Sequence, residues 1–192
     1  MKKNLILFLF ILCLGCNEEE KPPGNDTPAK IDTPVKVLPP ITHYTLPDNS
    51  PMDMVYFPGD YPLLKMAEKT SSPPLMRIIY SRPQKQNRKI FNGLIKYDVP
   101  WRLGANESTE IEFFSVATIQ NKTIRPGRYI LYCIPQETTW TLVFNSNLYS
   151  WGLQQNQLKD LMKFEVPLEK NNGVIEYFTI AIEKRSDKSA EI

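Results

Sequence analysis

The stretch Arg128–Ile134, RYILYCI, has apolar or aromatic residues at every position after its arginine. A strand that is covered on both faces is apolar throughout, so this run predicts a central strand of a sheet. The run Leu75–Ser81, LMRIIYS, has the same character. Directly before the first run, RPGR places Pro126 and Gly127 at the central positions of a type II turn.

Other stretches alternate between apolar and polar residues and predict strands with one solvated face. They are MKFEVPL at residues 162–168 and FTIAIE at residues 178–183. In EIEFFSVATI the alternation changes phase between Phe113 and Phe114, which predicts a β-bulge. Asn172 and Gly173 predict the turn of a hairpin between the last two strands.

Helical patterns are scarce, and only YPLLKMAEKT and QLKDLM offer short helices. Many short strands, regular turn signals and no alternation of strands with helices predict an all-β fold. We expect a single antiparallel β-sandwich or barrel-like domain over residues 50–186, with a disordered tail at residues 187–192.

The first fifteen residues have the features of a lipoprotein signal peptide. Lys2 and Lys3 precede ten apolar residues, which are too few to span a bilayer. The following LCLGC resembles a bacterial lipobox, in which cleavage exposes a cysteine that receives acyl chains such as palmitate. We therefore expect Cys16 to be lipidated and to anchor the protein in the outer membrane. An ordinary secretory cut after Gly15 is the alternative.

Residues 16–49 predict a disordered tether, because ten of the 17 prolines lie between Pro22 and Pro62 and apolar periodicity is weak. Its acidic start, NEEEK, resembles surface-export signals and also suits a solvated tether, so the periplasmic and cell-surface faces both stay open. The single histidine, His43, lies in the tether. This removes most routes to a histidine base or a two-histidine metal site, and no metal site and no cofactor are predicted.

The net charge and the cysteine content exclude further classes of function. Of the 23 basic residues, Lys2 and Lys3 lie within residues 1–15. Residues 16–192 therefore have 21 basic and 21 acidic residues. A neutral chain argues against nucleic acid as a partner. Cys133 lies inside an apolar run and predicts a buried, inert thiol.

Two polar blocks, YSRPQKQNRK and WRLGANESTE, interrupt this apolar half of the chain. One hypothesis is structural: Arg82 or Arg102 forms a bidentate ion pair with Glu107 or Glu110. In that case Asn106 would satisfy turn backbone, and Gly104 would supply a positive φ.

The second hypothesis opens a pocket between the same residues. Arginines would bind a carboxylate or phosphate, an amide would bind a hydroxyl, and aromatic rings would stack on the ligand. The candidate ligand-binding residues are Tyr80, Arg82, Trp101, Arg102, Asn106, Glu107 and Glu110. Trp140 alternates with apolar residues and predicts core, whereas Trp151 follows turn residues and predicts exposure.

Catalysis would depend on Glu107 and Glu110 as the acid and base of a glycoside-type hydrolase. Residues three apart on a strand point to opposite faces, which counts against such a pair. The chain also lacks the spaced motifs of metalloproteases, of serine hydrolases and of phosphate-binding loops. Binding is therefore favoured over catalysis.

Six blocks resemble the bacterial family known as domain of unknown function 2911. They are SPMDMVYFPGDYPLLKM, YSRPQKQNRKIFNGL, WRLGANESTEIEFF, PGRYILYCIP, WTLVFN and WG. The resemblance covers nearly all of residues 50–184 and implies an exported protein or lipoprotein of Bacteroidetes or related bacteria. It implies no activity.

We therefore expect a membrane-anchored lipoprotein of the cell envelope that acts as a ligand-binding or accessory module. Its partner would be an envelope glycan, an anionic small molecule or an envelope protein. The alternatives are a glycoside-type hydrolase and a structural or assembly partner without a small ligand.

Overall fold

The structure, a computed structural model, describes residues 48–169 and 172–192. The chain divides into Met1–Pro40 and a compact unit, Ile41–Ile192, which holds all of these residues. The predicted signal peptide and nearly all of the predicted tether therefore lie outside the described residues. Within the described ranges, no helix is long and apolar enough to cross a membrane.

The described chain is built almost entirely of strands. In chain order they are β1 (Met52–Phe57), β2 (Met76–Ser81), β3 (Glu110–Phe113), β4 (Ala117–Ile119), β5 (Lys122–Ile124), β6 (Gly127–Pro135), β7 (Thr139–Asn145), β8 (Asp160–Pro167), β9 (Glu183–Ser186) and β10 (Ser189–Glu191). A six-stranded sheet has the order β1-β2-β3-β6-β7-β8, and all of its neighbours are antiparallel. β4 with β5 and β9 with β10 form two separate two-stranded ribbons.

One face of the large sheet carries the core. Alternate residues of β2, β3 and β6, such as Ile78, Ile111 and Leu131, are buried on this face. A run of aromatic rings continues the core from β3 to β8, with neighbouring centroids 5.3 to 6.3 Å apart. Such pairs add to the stabilisation that burial of the rings provides.

Short extended segments cover this face and give a sandwich-like arrangement. Ile124 of the β4–β5 ribbon is fully buried against the core. Phe178, Ile180 and Ile182 are partly buried there, while Thr179 and Ala181 between them are exposed. This segment therefore keeps the alternation of a strand although it joins no ladder.

The opposite face of the sheet is polar toward β2 and β3. Arg77 pairs with Glu112 at 2.6 Å, and Arg128 pairs with Glu110 at 2.5 Å. Both carboxylates alternate with buried residues of β3, so they point away from the core. Exposed cross-strand pairs of this kind contribute modestly to stability.

The structure confirms the all-β antiparallel fold and the central strands predicted around residues 75–81 and 128–134. A helix, Tyr61–Met66, forms inside the first of the two predicted helical stretches. The second stretch makes only a single 3-10 turn, Gln157–Lys159, because Leu161 and Met162 belong to β8, which begins at Asp160.

Four local predictions are wrong. The strand predicted at residues 178–183 does not form as such, since residues 178–182 belong to no strand and β9 begins at Glu183. Residues 187–192 are not a disordered tail, since β10 pairs with β9. No bulge forms at Phe114, because β3 ends at Phe113 and the next residue donates its backbone N–H to the Leu75 carbonyl. The bend at Asn172 closes no hairpin, since within the described residues β8 pairs with β7 alone.

Ile124→Ala tests whether the β4–β5 ribbon is an integral cover of the core. The change should lower the free energy of unfolding by about 2–5 kcal/mol, because it removes a fully buried side chain and leaves a cavity. Chemical denaturation of a chain beginning at Ile41 measures this. Thr123→Ala, at an exposed position of the same strand, is the control and should change stability by less than about 0.5 kcal/mol. Equal losses in the two variants would contradict the packing.

Candidate functional site

A cavity of about 640 Å³ opens beside Trp101. Pockets for small molecules usually measure about 300–1,000 Å³. Four half-buried aromatic residues form one wall: Phe91, Trp101, Trp140 and Phe178. The Trp101 ring lies 5.1 Å from the Phe178 ring and 5.9 Å from the Trp140 ring, in edge-to-face contacts. The wall is therefore preformed by mutual packing of the rings.

Backbone pairing along β6 places Trp101 in this wall. β3 pairs with the first half of β6, and beyond it the Leu131 N–H still donates to the Thr109 carbonyl at 2.8 Å. Trp101 then takes over the same edge and exchanges two hydrogen bonds with Cys133, of 2.7 and 2.9 Å. The chain between Trp101 and Thr109 has no place in the ladder and leaves the sheet as a loop.

Buried polar contacts fix the shape of this loop. The Thr109 hydroxyl is fully buried and donates to the Leu103 carbonyl at 2.6 Å. Leu103 is buried with φ of +56°, an uncommon conformation for a bulky residue and one that costs about 1–3 kcal/mol. Ser81 accepts from the Ala105 N–H at 2.6 Å. The burial of Leu103 and these hydrogen bonds offset the strain.

Gly104 has φ of +149°, which confirms the predicted need for a positive φ. A Cβ at this position would lie 2.9 Å from the Ser81 hydroxyl and 3.0 Å from its carbonyl oxygen. Glycine is therefore required by both backbone conformation and space.

Arg102 lines the cavity and is half-buried. Its Nη1 makes one long hydrogen bond of 3.5 Å to the Trp151 carbonyl. Within residues 48–169 and 172–192, no carboxylate lies within ion-pair distance of Arg102. Burial lowers its pKa from the ordinary value, although arginine stays protonated in proteins. The side chain is thus a partly desolvated cation with no counter-charge among the described residues.

Gly152 holds the stem of Arg102 in place. A Cβ on Gly152 would lie 3.1 Å from Arg102 Cβ and 2.4 Å from the Ser108 hydroxyl. The Ser108 hydroxyl also donates to the Ser150 carbonyl at 2.9 Å, which ties this segment to the Trp101–Thr109 loop. The backbone of Gly152 therefore packs where any side chain would displace the arginine.

Two further cations, Lys85 and Arg88, line the cavity from another segment. Arg88 donates to the carbonyl oxygens of Gln84 and Lys85. Of the described residues that line the cavity, Glu176 is the one acid, and its carboxylate accepts a backbone N–H from Gln86 at 2.8 Å. The cavity therefore carries an excess of positive charge.

The candidate residues of the first polar block lie outside the cavity. Arg82 pairs with Asp53 at 3.2 Å and donates to the Thr179 hydroxyl at 3.0 Å. Tyr80 is a core residue whose hydroxyl donates to the Ile180 carbonyl at 3.3 Å, and burial raises its pKa. The predicted ion pair of Arg82 with Glu107 or Glu110 is wrong, because the antiparallel register sets β1 beside β2.

The second block divides between the cavity and the loop surface. Trp101 and Arg102 line the cavity, whereas the Asn106 amide donates to the Ser50 carbonyl at 3.2 Å and to Asp48 at 3.3 Å. Glu107 is exposed away from the cavity. Glu110 points to the opposite face of the sheet, where it pairs with Arg128 rather than with an arginine of the two blocks. The two glutamates are not brought together at the cavity.

Sequence reasoning missed Phe91, Trp140 and Gly152 as parts of this site. Trp140 was predicted to be core, and the alternation that gave this prediction does not separate a core from a cavity wall. Cys133 is buried behind Trp101, as predicted, and burial raises its pKa to about 12. Over the described part of the chain, no three His, Cys, Asp or Glu residues are grouped so that they could hold a metal ion.

Together these features define an antiparallel β domain with an aromatic-walled, positively charged cavity. A family model described as "Protein of unknown function (DUF2911)" matches residues 64–192, and the chain belongs to this family. No curated protein and no solved structure matches the chain.

Gly152→Ala tests the contact between the two segments that hold Arg102. With φ of +80° and a clash at 2.4 Å, the new methyl group should cost about 1–3 kcal/mol of unfolding free energy. Gly59→Ala is the matched control, since its Cβ would meet nothing closer than 3.9 Å. Thermal and chemical unfolding of both variants measure the difference. A Gly152→Ala protein as stable as the control would show that this packing is wrong.

Proposed function

We propose that this protein is a binding module whose cavity takes an amphipathic anion. Arg102 binds the acidic head group, and the aromatic wall around Trp101 contacts the apolar body. The observation that carries the proposal is Arg102 itself, a partly desolvated arginine that lines a cavity without a carboxylate among its described neighbours.

Other arginines of the domain differ from Arg102 in having carboxylate partners, which supports this assignment. Arg77, Arg82 and Arg128 each form an ion pair with a carboxylate. Withdrawing a charge from water without a partner is costly, so a half-buried cation is normally paired within the protein. A ligand carboxylate, phosphate or sulfonate can supply the missing partner through short, charge-assisted hydrogen bonds.

The lining of the cavity favours an amphipathic anion over a glycan, which was another of the predicted partners. A sugar needs many polar groups around its hydroxyls, whereas this lining is mostly apolar and aromatic. Two of its hydroxyls already have partners within the protein: the Tyr177 hydroxyl accepts from Gln84 at 3.0 Å, and the Thr179 hydroxyl accepts from Arg82 at 3.0 Å.

The family resemblance supports the cavity as the shared feature of the domain. Five of the six blocks that carry the resemblance contribute at least one lining residue, among them Ser50, Gln84, Trp101, Trp140 and Gly152. The hydrolase alternative gains no such support, because neither Glu107 nor Glu110 lines the cavity.

We also propose that the protein is located in the cell envelope. A lipidated Cys16 would anchor it in the outer membrane of a bacterium of the Bacteroidetes or a related group, and the tether would join this anchor to the domain. The LCLGC sequence and the proline-rich stretch that follows it support this placement.

Arg102→Ala tests the head-group contact in a chain beginning at Ile41. The probe is 1-anilinonaphthalene-8-sulfonate, which combines an aromatic body with one sulfonate and fluoresces when it is bound. Its affinity should fall by roughly 10- to 100-fold in the variant, because hydrogen bonds to charged groups contribute about 1.5–3 kcal/mol. Dodecanoate should displace the probe from the unchanged protein more strongly than dodecanol, which lacks the charge.

Arg125→Ala is the matched control, since this arginine is exposed and does not line the cavity. It should leave probe affinity unchanged, and the thermal midpoints of both variants should stay close to that of the unchanged protein. The proposal fails if the two variants bind the probe equally, or if neutral sugars displace the probe and dodecanoate does not.

Cys16→Ser tests the anchor independently of the cavity. In a bacterial host, the unchanged full chain should be recovered with membranes and should incorporate labelled palmitate. The variant should incorporate none, since serine cannot form the thioether that carries the diacylglyceryl group. Equal membrane recovery and equal labelling of the two chains would rule out lipidation at this residue.

A further inference from the structure

We propose that the mouth of the cavity, defined by Leu94, Leu153, Ile175 and Tyr177, docks on an anionic lipid surface. All four residues line the cavity, and their exposed fractions are 60%, 74%, 60% and 44%. Apolar side chains that face both a cavity and solvent lie at its opening. Exposed apolar groups gathered at one opening indicate an interaction site.

A set of unpaired cations accompanies the mouth. Lys85 and Arg88 line the cavity, and Lys89 and Lys96 are exposed on the same segment. None of the four has a carboxylate within ion-pair distance in the described part of the molecule. Arg77 and Arg128 of the sheet are paired, whereas these four cations of one segment carry uncompensated charge next to the apolar rim.

This combination suits a lipid surface better than a protein partner. Protein interfaces have a closely packed apolar centre and are depleted in lysine, whereas this mouth has a cavity at its centre and lysines beside it. At an anionic bilayer, apolar side chains enter the headgroup region while lysine and arginine reach the phosphates. Trp151 beside the mouth is 58% exposed, and tryptophan is favoured at membrane interfaces.

Docking goes beyond the proposed binding function and does not depend on it. It concerns the outer rim of the cavity and the cations of the Lys85–Lys96 segment, whereas ligand binding concerns Arg102 and the aromatic wall. If both hold, a lipid-like anion would pass from the bilayer into the cavity without crossing open water.

Vesicle co-sedimentation tests docking with a chain beginning at Ile41, which lacks Cys16 and therefore any lipid anchor. Binding is expected to vesicles of phosphatidylcholine mixed with phosphatidylglycerol and not to phosphatidylcholine alone. It should weaken as salt screens the charges. The double variant Arg88→Ser/Lys89→Ser should bind about 10- to 30-fold more weakly, since each cation near an anionic leaflet contributes about 1 kcal/mol.

Two controls match these changes. Arg125→Ser/Lys188→Ser removes the same charge from exposed positions outside the cavity and should bind like the unchanged chain. In the apolar comparison, Leu153→Ser should weaken binding by roughly fivefold or more through lost burial of methylene groups. Leu158→Ser, at a 96% exposed position of the same loop outside the cavity lining, should have little effect.

Absence of binding to the mixed vesicles would overturn the docking proposal and would direct attention to an acidic protein partner. Equal losses in the two double variants would also overturn it, because they would show attraction by total charge without a defined surface. The fluorescence assay with the sulfonate probe contains no lipid vesicles. Its outcome therefore reports on the proposed binding function separately.

Discussion

The edge of β6 is shared by two segments of chain, and the rest of the site depends on this division. β3 pairs with the first half of β6, and Trp101 pairs with Cys133 in the second half. Because hydrogen bonds hold both segments in register, the residues between them must leave the sheet together. Thr109 closes the resulting loop from inside the core, and Arg102 is carried out to the cavity. Backbone pairing thus brings Arg102 to the cavity, and the packing of its stem against Gly152 holds it there.

The arginines on the polar face of the sheet and those around the cavity have different hydrogen-bond partners. On the polar face of the sheet, cross-strand neighbours such as Arg77 and Glu112 neutralise one another. Around the cavity, Arg88 and Arg102 keep their charge because their hydrogen-bond partners are carbonyl oxygens. Carbonyls satisfy donors without cancelling charge. Residues 16–192 are neutral in sum, yet the described lining of the cavity has three basic residues and one acidic residue.

Local patterns in the sequence predicted the strands, since alternation and turn residues act within a few positions. They also indicated Trp101 and Arg102, because a polar block inside an apolar half must leave the core. Ion-pair partners were not predictable: Asp53 lies 29 positions from Arg82, and Glu110 lies 18 positions from Arg128. Strand register decides such pairs. The role of Gly152 depended on the same long-range information, since only the folded chain sets it against Arg102.

The cavity draws its lining from segments as distant along the chain as Ser50 and Thr179. Any unfolding that separates these segments destroys the cavity, so a ligand in the cavity binds only the folded chain. Such a ligand adds about 2.7 kcal/mol of stability at a hundredfold excess over its dissociation constant. That is a large share of the roughly 5–15 kcal/mol that keeps a domain folded. If the proposed function holds, occupancy of the cavity lowers the fraction of unfolded chain that proteases can cleave, and the amount of the protein then follows the supply of its ligand.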